Sequence, residues 1–171
     1  MSNFQTWIKR FQKLSHKQRN EWLKTFKNYA NKGNTLYFAT SSVGHHIIDQ
    51  IGITAAARLA VSRVLKKISC YVPGVSSSVI LLDGSLYAPR KYLFQKTIIR
   101  GDENVPVIAA ASVIAKVCRD KKMIRLSKKF PQYSFDLHKG YGTKKHSNAI
   151  EKYGLSQAHR RSFCKKFIKV L

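Results

Sequence analysis

Val79-Ile80-Leu81-Leu82-Asp83-Gly84 is a continuous apolar run closed by an Asp-Gly pair. Such a run reads as a central β-strand buried on both faces and stopped by a turn. Downstream, Lys96 to Arg100 reads as a second short strand that ends at Gly101-Asp102. Pro106 then stands where a helix accepts proline, and the helix predicted from it to about Leu126 carries Ala109, Ala110, Ala111 and Ala115. Small residues on one side would let that helix lie close on a sheet.

Upstream, Tyr71 to Ser78 is a Ser-rich loop with one Pro-Gly. Before it, Thr54 is placed to cap a helix that reaches about Ile68, apolar at Leu59, Val61, Val64, Leu65 and Ile68. Thr35 to Ala39 reads as a strand by residue type. Ser15 and Gln18 form a capping box for a helix whose stripe is Trp22, Leu23, Phe26 and Ala30. Beyond Phe130-Pro131, Thr143 can cap a helix to Tyr153 closed by Gly154, and Ser156 is placed to open a last basic helix. Strands alternating with helices predict an α/β fold.

The 171 residues hold 32 Lys and Arg against 8 Asp and Glu, a formal charge of +24. With 44% hydrophobic and 11% aromatic residues, the chain has enough apolar material for a packed core. A field this positive points to a polyanionic partner, nucleic acid first and an anionic membrane surface second. No apolar stretch is long enough to span a membrane. Cys70, Cys118 and Cys164 form no Cys-x-x-Cys pair, which suits a reducing, cytoplasmic setting. Residues 1–14 form a basic amphipathic extension, with Phe4, Trp7, Ile8, Phe11 and Leu14 at helical spacing among Lys9, Arg10 and Lys13. Its plainest reading is a terminal helix packed on the body; a targeting or membrane-surface segment is the other.

Eight carboxylates can be considered singly. Glu21 and Glu151 lie in predicted helices beside lysines, and Asp120 can pair with Lys116 one turn earlier, so these three read as surface ion pairs. Asp83 and Asp102 each end a strand, where ligands of open α/β sheets gather. Each could be an ordinary turn residue. Together, in so basic a chain, they suggest hard oxygen ligands for magnesium or manganese and metal-assisted phosphodiester hydrolysis. The six histidines offer no His-x-x-x-His pair, and His45-His46 reads as a loop pair whose rings point apart. Lys139-Gly140-Tyr141-Gly142 combines a cation, glycines that permit close backbone approach and a ring able to stack on a base or ribose. It could equally be a Gly-rich turn over a buried tyrosine.

These residues fall in five ordered stretches that resemble the ribonuclease HII family: Leu82-Asp83-Gly84, Arg100-Gly101-Asp102, Ile108 to Asp120, His138 to Thr143, and His159 to Phe163. Weaker similarity extends through Ile48-Asp49-Gln50-Ile51 to Lys13-Leu14-Ser15. The resemblance implies an RNase H-like mixed sheet flanked by helices, in a single domain over residues 1–171. It also implies endonucleolytic cleavage of RNA in RNA–DNA hybrids or at ribonucleotides embedded in duplex DNA, with magnesium or manganese as the cofactor. Carried over by motif, Asp83 and Asp102 would be catalytic and metal-binding, and Lys139, Gly140 and Tyr141 substrate-binding. The family's first strand carries Asp-Glu-x-Gly-Arg-Gly, which supplies two further acids and a backbone grip on the 2′-hydroxyl; this sequence lacks that motif. The expectation is therefore a domain truncated at its N-terminus with its first strand missing, acting as a cytoplasmic monomer without a small-molecule cofactor or a membrane. A catalytically impaired remnant that only binds nucleic acid is the alternative.

Overall fold

The computed structural model describes residues 14–31 and 36–168. The amphipathic stretch read at 1–14 therefore lies outside the described residues except for Leu14, which is buried. The helices are α1 (His16–Asn31), α2 (His45–Ile68), α3 (Gly101–Asn104), α4 (Pro106–Lys129), α5 (Phe135–His138) and α6 (Lys144–Tyr153). The strands are β1 (Ile80–Asp83) and β2 (Gln95–Ile98), paired in parallel with Leu82 opposite Thr97 and Asp83 opposite Ile98. The chain is thus mixed α/β, rich in helix, with a small parallel sheet. It divides into two compact units: Thr54–Val117 with the described part of Met1–Val43, and Gly44–Ile53 with Cys118–Leu171.

In the first unit, α1 starts as its capping box requires. The Ser15 amide donates to Gln18 Oε1 at 2.8 Å, and the Gln18 amide to Ser15 Oγ at 3.3 Å. Thr54 opens the second part of α2, because Gly52 (φ 78°, ψ 164°) breaks the helical path just before it. Only a residue without a Cβ enters that conformation without strain. Leu65 of α2 packs with Val75, Leu82, Ala88 and Tyr92. Leu82 is buried, whereas Val79 is 67% exposed and Ile80 and Leu81 are half-buried. The run at 79–82 is therefore not covered on both faces as its apolarity suggested, since Leu82 alone of the four is packed into the core as a buried residue.

Two further expectations differ. Residues 36–39 are irregular, because residue type favours a strand but only a hydrogen-bonded neighbour makes one. On α4 the buried side is Ile108, Ala109, Val113, Ile114 and Val117, while Ala111 and Ala115 are exposed. The large apolar residues, not the alanines, set which face turns inward.

The connection from β1 to β2, residues 84–94, is short for a link between parallel strands, which ordinarily takes a dozen or more residues. The Gln95 side chain holds it. Its Oε1 accepts from the Ala88 amide at 2.8 Å, and its Nε2 donates to Tyr92 O at 2.9 Å. Both ends of the apolar pair Ala88 and Tyr92 are thereby set against Leu82.

The second unit packs Tyr133, Phe135 and Ile150 with Met123, Leu126, Phe130 and Leu155. Thr143 Oγ1 accepts from the His146 amide at the start of α6, and Gly154 closes that helix, both as the sequence predicts. From Ser156 onward there is no α-helix. Two single 3-10 turns, Arg161–Phe163 and Lys165–Phe167, stand there instead. The first turn is held by Asp49, whose carboxylate accepts the amides of Arg161 (2.8 Å) and Ser162 (3.1 Å) and the Ser162 hydroxyl.

Replacing Gln95 by Ala leaves the amide of the buried Ala88 without its partner. The expected loss is about 1–3 kcal/mol of unfolding free energy, read as a lower urea midpoint with an unchanged m-value.

Candidate active site and tyrosine loop

In the first unit, parallel pairing places Asp83 at the last rung of β1 beside Ile98, a few residues before Asp102. Arg100 turns the chain with φ 51°, and α3 begins at Gly101. The Gly101 amide donates to Asp83 Oδ1 at 2.7 Å, which draws the start of α3 onto the end of β1. A Cβ on Gly101 would fall 2.7 Å from Ile108 Cδ1 and 3.3 Å from Asp83 Oδ1, so a larger residue here would displace the end of the Ile108 side chain and crowd the carboxylate. Asp102 follows directly, and its Oδ2 lies 3.9 Å from Lys116 Nζ on α4. The structure thus brings Asp83, at the end of β1, into one neighbourhood with Asp102, which has a lysine beside it. Asp102 stands in the first turn of α3, and not at the strand end read from the sequence, because β2 stops at Ile98. Lys116 faces Asp102, and Asp120, read as a surface ion-pair residue, is instead buried at 7% exposure.

Two carboxylates with hard oxygens suit magnesium, which ordinarily takes one or two protein carboxylates and fills its remaining positions with water and substrate phosphate. Among the described residues no group of three or more His, Cys, Asp or Glu is arranged to hold a metal. The donor set therefore fits an ion shared with a phosphate, and not a closed protein cage.

The second unit carries Lys139, Gly140 and Tyr141. Lys139 (φ 51°) and Gly140 (φ 77°) are both left-handed, and the Tyr141 amide donates to His138 O at 2.9 Å. Tyr141 is 60% exposed, not buried. Arg119 of α4 lies over its ring, 4.6 Å from the centroid, and also reaches its hydroxyl (3.3 Å) and Lys139 O (3.4 Å). A guanidinium against a presented aromatic face holds the ring ready to stack.

Behind this loop stand three buried histidines that spacing along the chain does not reveal. His138 closes α5, His146 lies on α6, and His159 lies in the segment after α6. The His138 and His146 rings are stacked at 4.2 Å, and His146 Nε2 is 3.1 Å from His159 Nε2. Phe135 meets all three rings, and Tyr133 meets His159 edge-on. Burial, reinforced by the neighbouring His146, pushes His159 down to about 4; burial likewise lowers His146. His45 and His46 differ from expectation as well. They begin α2, and their rings lie 4.0 Å apart because both turn to one side of its first turn.

These observations define a class: a strongly basic α/β protein with one carboxylate at a strand end, a second in the short helix tied to it, and a glycine-flanked, cation-backed tyrosine. The family model for ribonuclease HII matches residues 8–166. The chain is 41% identical over 132 residues to the ribonuclease HII of Endomicrobium trichonymphae, covering 77% of this chain and 60% of that protein. It is 38% identical over 167 residues to that of Alkaliphilus metalliredigens (strain QYMF), covering 95% and 76%. To that of Coxiella burnetii (strain Dugway 5J108-111) it is 38% identical over 130 residues, covering 76% and 61%. The chain belongs to the ribonuclease HII family. It spans about three fifths of the length of the Endomicrobium and Coxiella proteins.

The sign of the histidine shifts sets a pH dependence. His159 and His146 bind protons more weakly folded than unfolded, so their contribution is present above the unfolded value near 6.5. It is lost as pH falls from there toward about 4. Urea unfolding followed between pH 7.5 and 4.5 is expected to show a midpoint that declines below about pH 6.5, with a flatter decline in His159→Gln.

Proposed function

We propose that this chain acts as a metal-dependent endoribonuclease of the HII type. It would hydrolyse RNA in RNA–DNA hybrids or at ribonucleotides embedded in duplex DNA. The observation that carries the reading is the Gly101-to-Asp83 hydrogen bond, which sets Asp102 beside Asp83 at the end of the parallel pair. Asp83 and Asp102 would hold magnesium or manganese. Bound there, such an ion would supply Lewis acidity toward a phosphate oxygen and lower the pKa of a water.

The chain's own residues account for the remaining tasks. The Gly101 amide takes one lone pair of Asp83 Oδ1, and the carboxylate's remaining lone pairs would meet an ion. Lys116, 3.9 Å from Asp102, balances that carboxylate's charge and competes with a cation for it. In the second unit, Lys139 supplies a charge for the nucleic-acid backbone and Gly140 a close approach. Tyr141, backed by Arg119, supplies a stacking face for a base or ribose. The +24 charge supplies the salt-dependent, sequence-independent part of binding.

The RNase H-like reading makes β1 and β2 the parallel part of a larger mixed sheet within a single domain, and leaves the Asp-Glu-x-Gly-Arg-Gly strand out of this sequence. A monomer in the cytoplasm is the setting proposed, with Cys70, Cys118 and Cys164 all unbridged. Among the described residues no third His, Cys, Asp or Glu joins Asp83 and Asp102 in a group able to hold a metal, and a protein that binds hybrids without cutting them is the second reading.

A labelled RNA–DNA hybrid and a duplex DNA with one embedded ribonucleotide, incubated with the chain and manganese, decide between the two. Cleavage by the wild type that falls roughly a hundredfold or more in Asp83→Asn is the expected result, the scale on which metal sites respond to lost support. Binding that persists without cleavage, unchanged by Asp83→Asn, establishes the second reading. Tyr141→Ala is expected to weaken binding by about 1–3 kcal/mol, the worth of one stacked base.

A further inference from the structure

The three buried histidines do more than fill the second unit's core, because their hydrogen bonds admit one arrangement of protons. A carbonyl oxygen only accepts, so His138 Nε2, 2.7 Å from Tyr133 O, carries hydrogen. His138 Nδ1 accepts the Gly140 amide at 3.2 Å and therefore carries none. His146 Nδ1, 3.0 Å from Tyr141 O, must donate, which leaves its Nε2 as an acceptor. The only group within reach of that acceptor in the stack is His159 Nε2, at 3.1 Å, which must then donate. His159 Nδ1 is left to accept from the Ser156 amide (3.0 Å) and the Ser156 hydroxyl (2.8 Å). All six ring nitrogens are satisfied, and every ring is neutral.

One more proton anywhere breaks this pattern. On His138 Nδ1 it would face the Gly140 N–H, on His146 Nε2 the His159 N–H, and on His159 Nδ1 the Ser156 N–H. Each is a donor against a donor in a buried place, where an unmade hydrogen bond is costly. Two of the bonds so defined end on the tyrosine loop itself, the Gly140 amide on His138 and the Tyr141 carbonyl on His146. Arg119 fixes the ring of Tyr141 from outside, and the histidines fix its backbone from inside.

We propose that His138, His146 and His159 form a tautomer relay that positions the Lys139–Tyr141 loop for the nucleotide, so that the neutral state of the stack is a condition for the loop's binding geometry. The inference rests on the substrate-binding role proposed for that loop. Other titratable groups face the stack too. Tyr133 meets His159 edge-on at 4.9 Å, Cys164 packs in the same apolar cluster, and His45 acts on His159 from α2. His45 opposes further positive charge, and no carboxylate is among the groups acting on His146 or His159. Burial and the neighbouring histidines outweigh the backbone hydrogen bonds at Tyr141 and Ser156 that favour a protonated ring, and acid acts on the loop directly.

The test reads the tautomers of the full chain by long-range nitrogen–proton NMR at pH 7. The expected pattern is hydrogen on Nε2 of His138, Nδ1 of His146 and Nε2 of His159. His146→Ala should speed hydrogen exchange of the loop amides by about tenfold, as loss of one buried hydrogen bond implies. It should also weaken binding of the ribonucleotide-containing duplex to a similar degree, with the salt slope unchanged because no phosphate contact is lost. His146→Asn keeps a donor for Tyr141 O and should recover most of both effects. Lowering the pH toward 5 should release the loop amides in the wild type and much less in His159→Gln. A charged ring or the other tautomer of His146 at pH 7 overturns the proposal, and so does loop exchange unaltered in His146→Ala. The tautomer measurement needs only the wild type, so a variant that fails to fold leaves the proposal decidable. A wild type with the expected tautomers and loop exchange that binds neither hybrid nor ribonucleotide-containing duplex supports the relay and counts against the loop's proposed role.

Discussion

The hydrogen bond from the Gly101 amide to the Asp83 carboxylate ties the end of β1 to the start of α3 and so determines what the two strands present. A parallel pair of four residues each has little strength as a sheet. Its register matters because Leu82 enters the core while the next residue along, Asp83, is left to reach across to the segment following β2. Gln95 keeps the short link between the strands folded on itself, and glycine at 101 leaves room for the carboxylate. Remove any of these and the two acids lose their common neighbourhood.

Scarcity of negative charge runs through the rest of the molecule. With eight carboxylates against 32 bases, two of the acids outside the proposed site each organise several groups. Asp49 gathers two amides and a hydroxyl at the Arg161–Phe163 turn, and the Ser162 hydroxyl, first among its partners, holds its carboxyl below the usual range. Asp136 accepts from Ser127 and is lowered by that bond, while its carbonyl receives the Lys139 ammonium. The excess cations are left to solvent and, in the proposed role, to phosphate. The second unit thus joins a basic exterior to an interior in which burial lowers the proton affinity of His146 and His159.

Much of this was legible beforehand, and the legible parts share a cause. The capping box at Ser15 and Gln18, the Thr143 cap and the Gly154 stop are contacts between residues three or four apart, so their chemistry is written locally. Asp83 and Asp102 could be picked out because each follows a short β-type run, and Lys139-Gly140-Tyr141 because its residue types are unusual together. The strand read at Thr35–Ala39 and the helix read from Ser156 were misplaced for the complementary reason. A strand exists only with a partner, and a tail rich in Lys and Arg takes whatever shape its contacts allow; here Asp49, more than a hundred residues earlier, sets it.

Residue order alone therefore settled the α/β class, the basic character and the family likeness, all of which depend on composition or on neighbours within one turn, and it singled out the two acids on which the proposed role rests. The tertiary structure decided which side of α4 is buried, that Lys116 meets Asp102, that Arg119 backs Tyr141, and that His138, His146 and His159 stack. The histidines lie eight and thirteen residues apart along the chain in three different elements, so no helical or strand period relates them. Only the packing of Phe135 and Tyr133 between their elements brings the rings into hydrogen-bonding distance, and only that distance fixes where their protons reside.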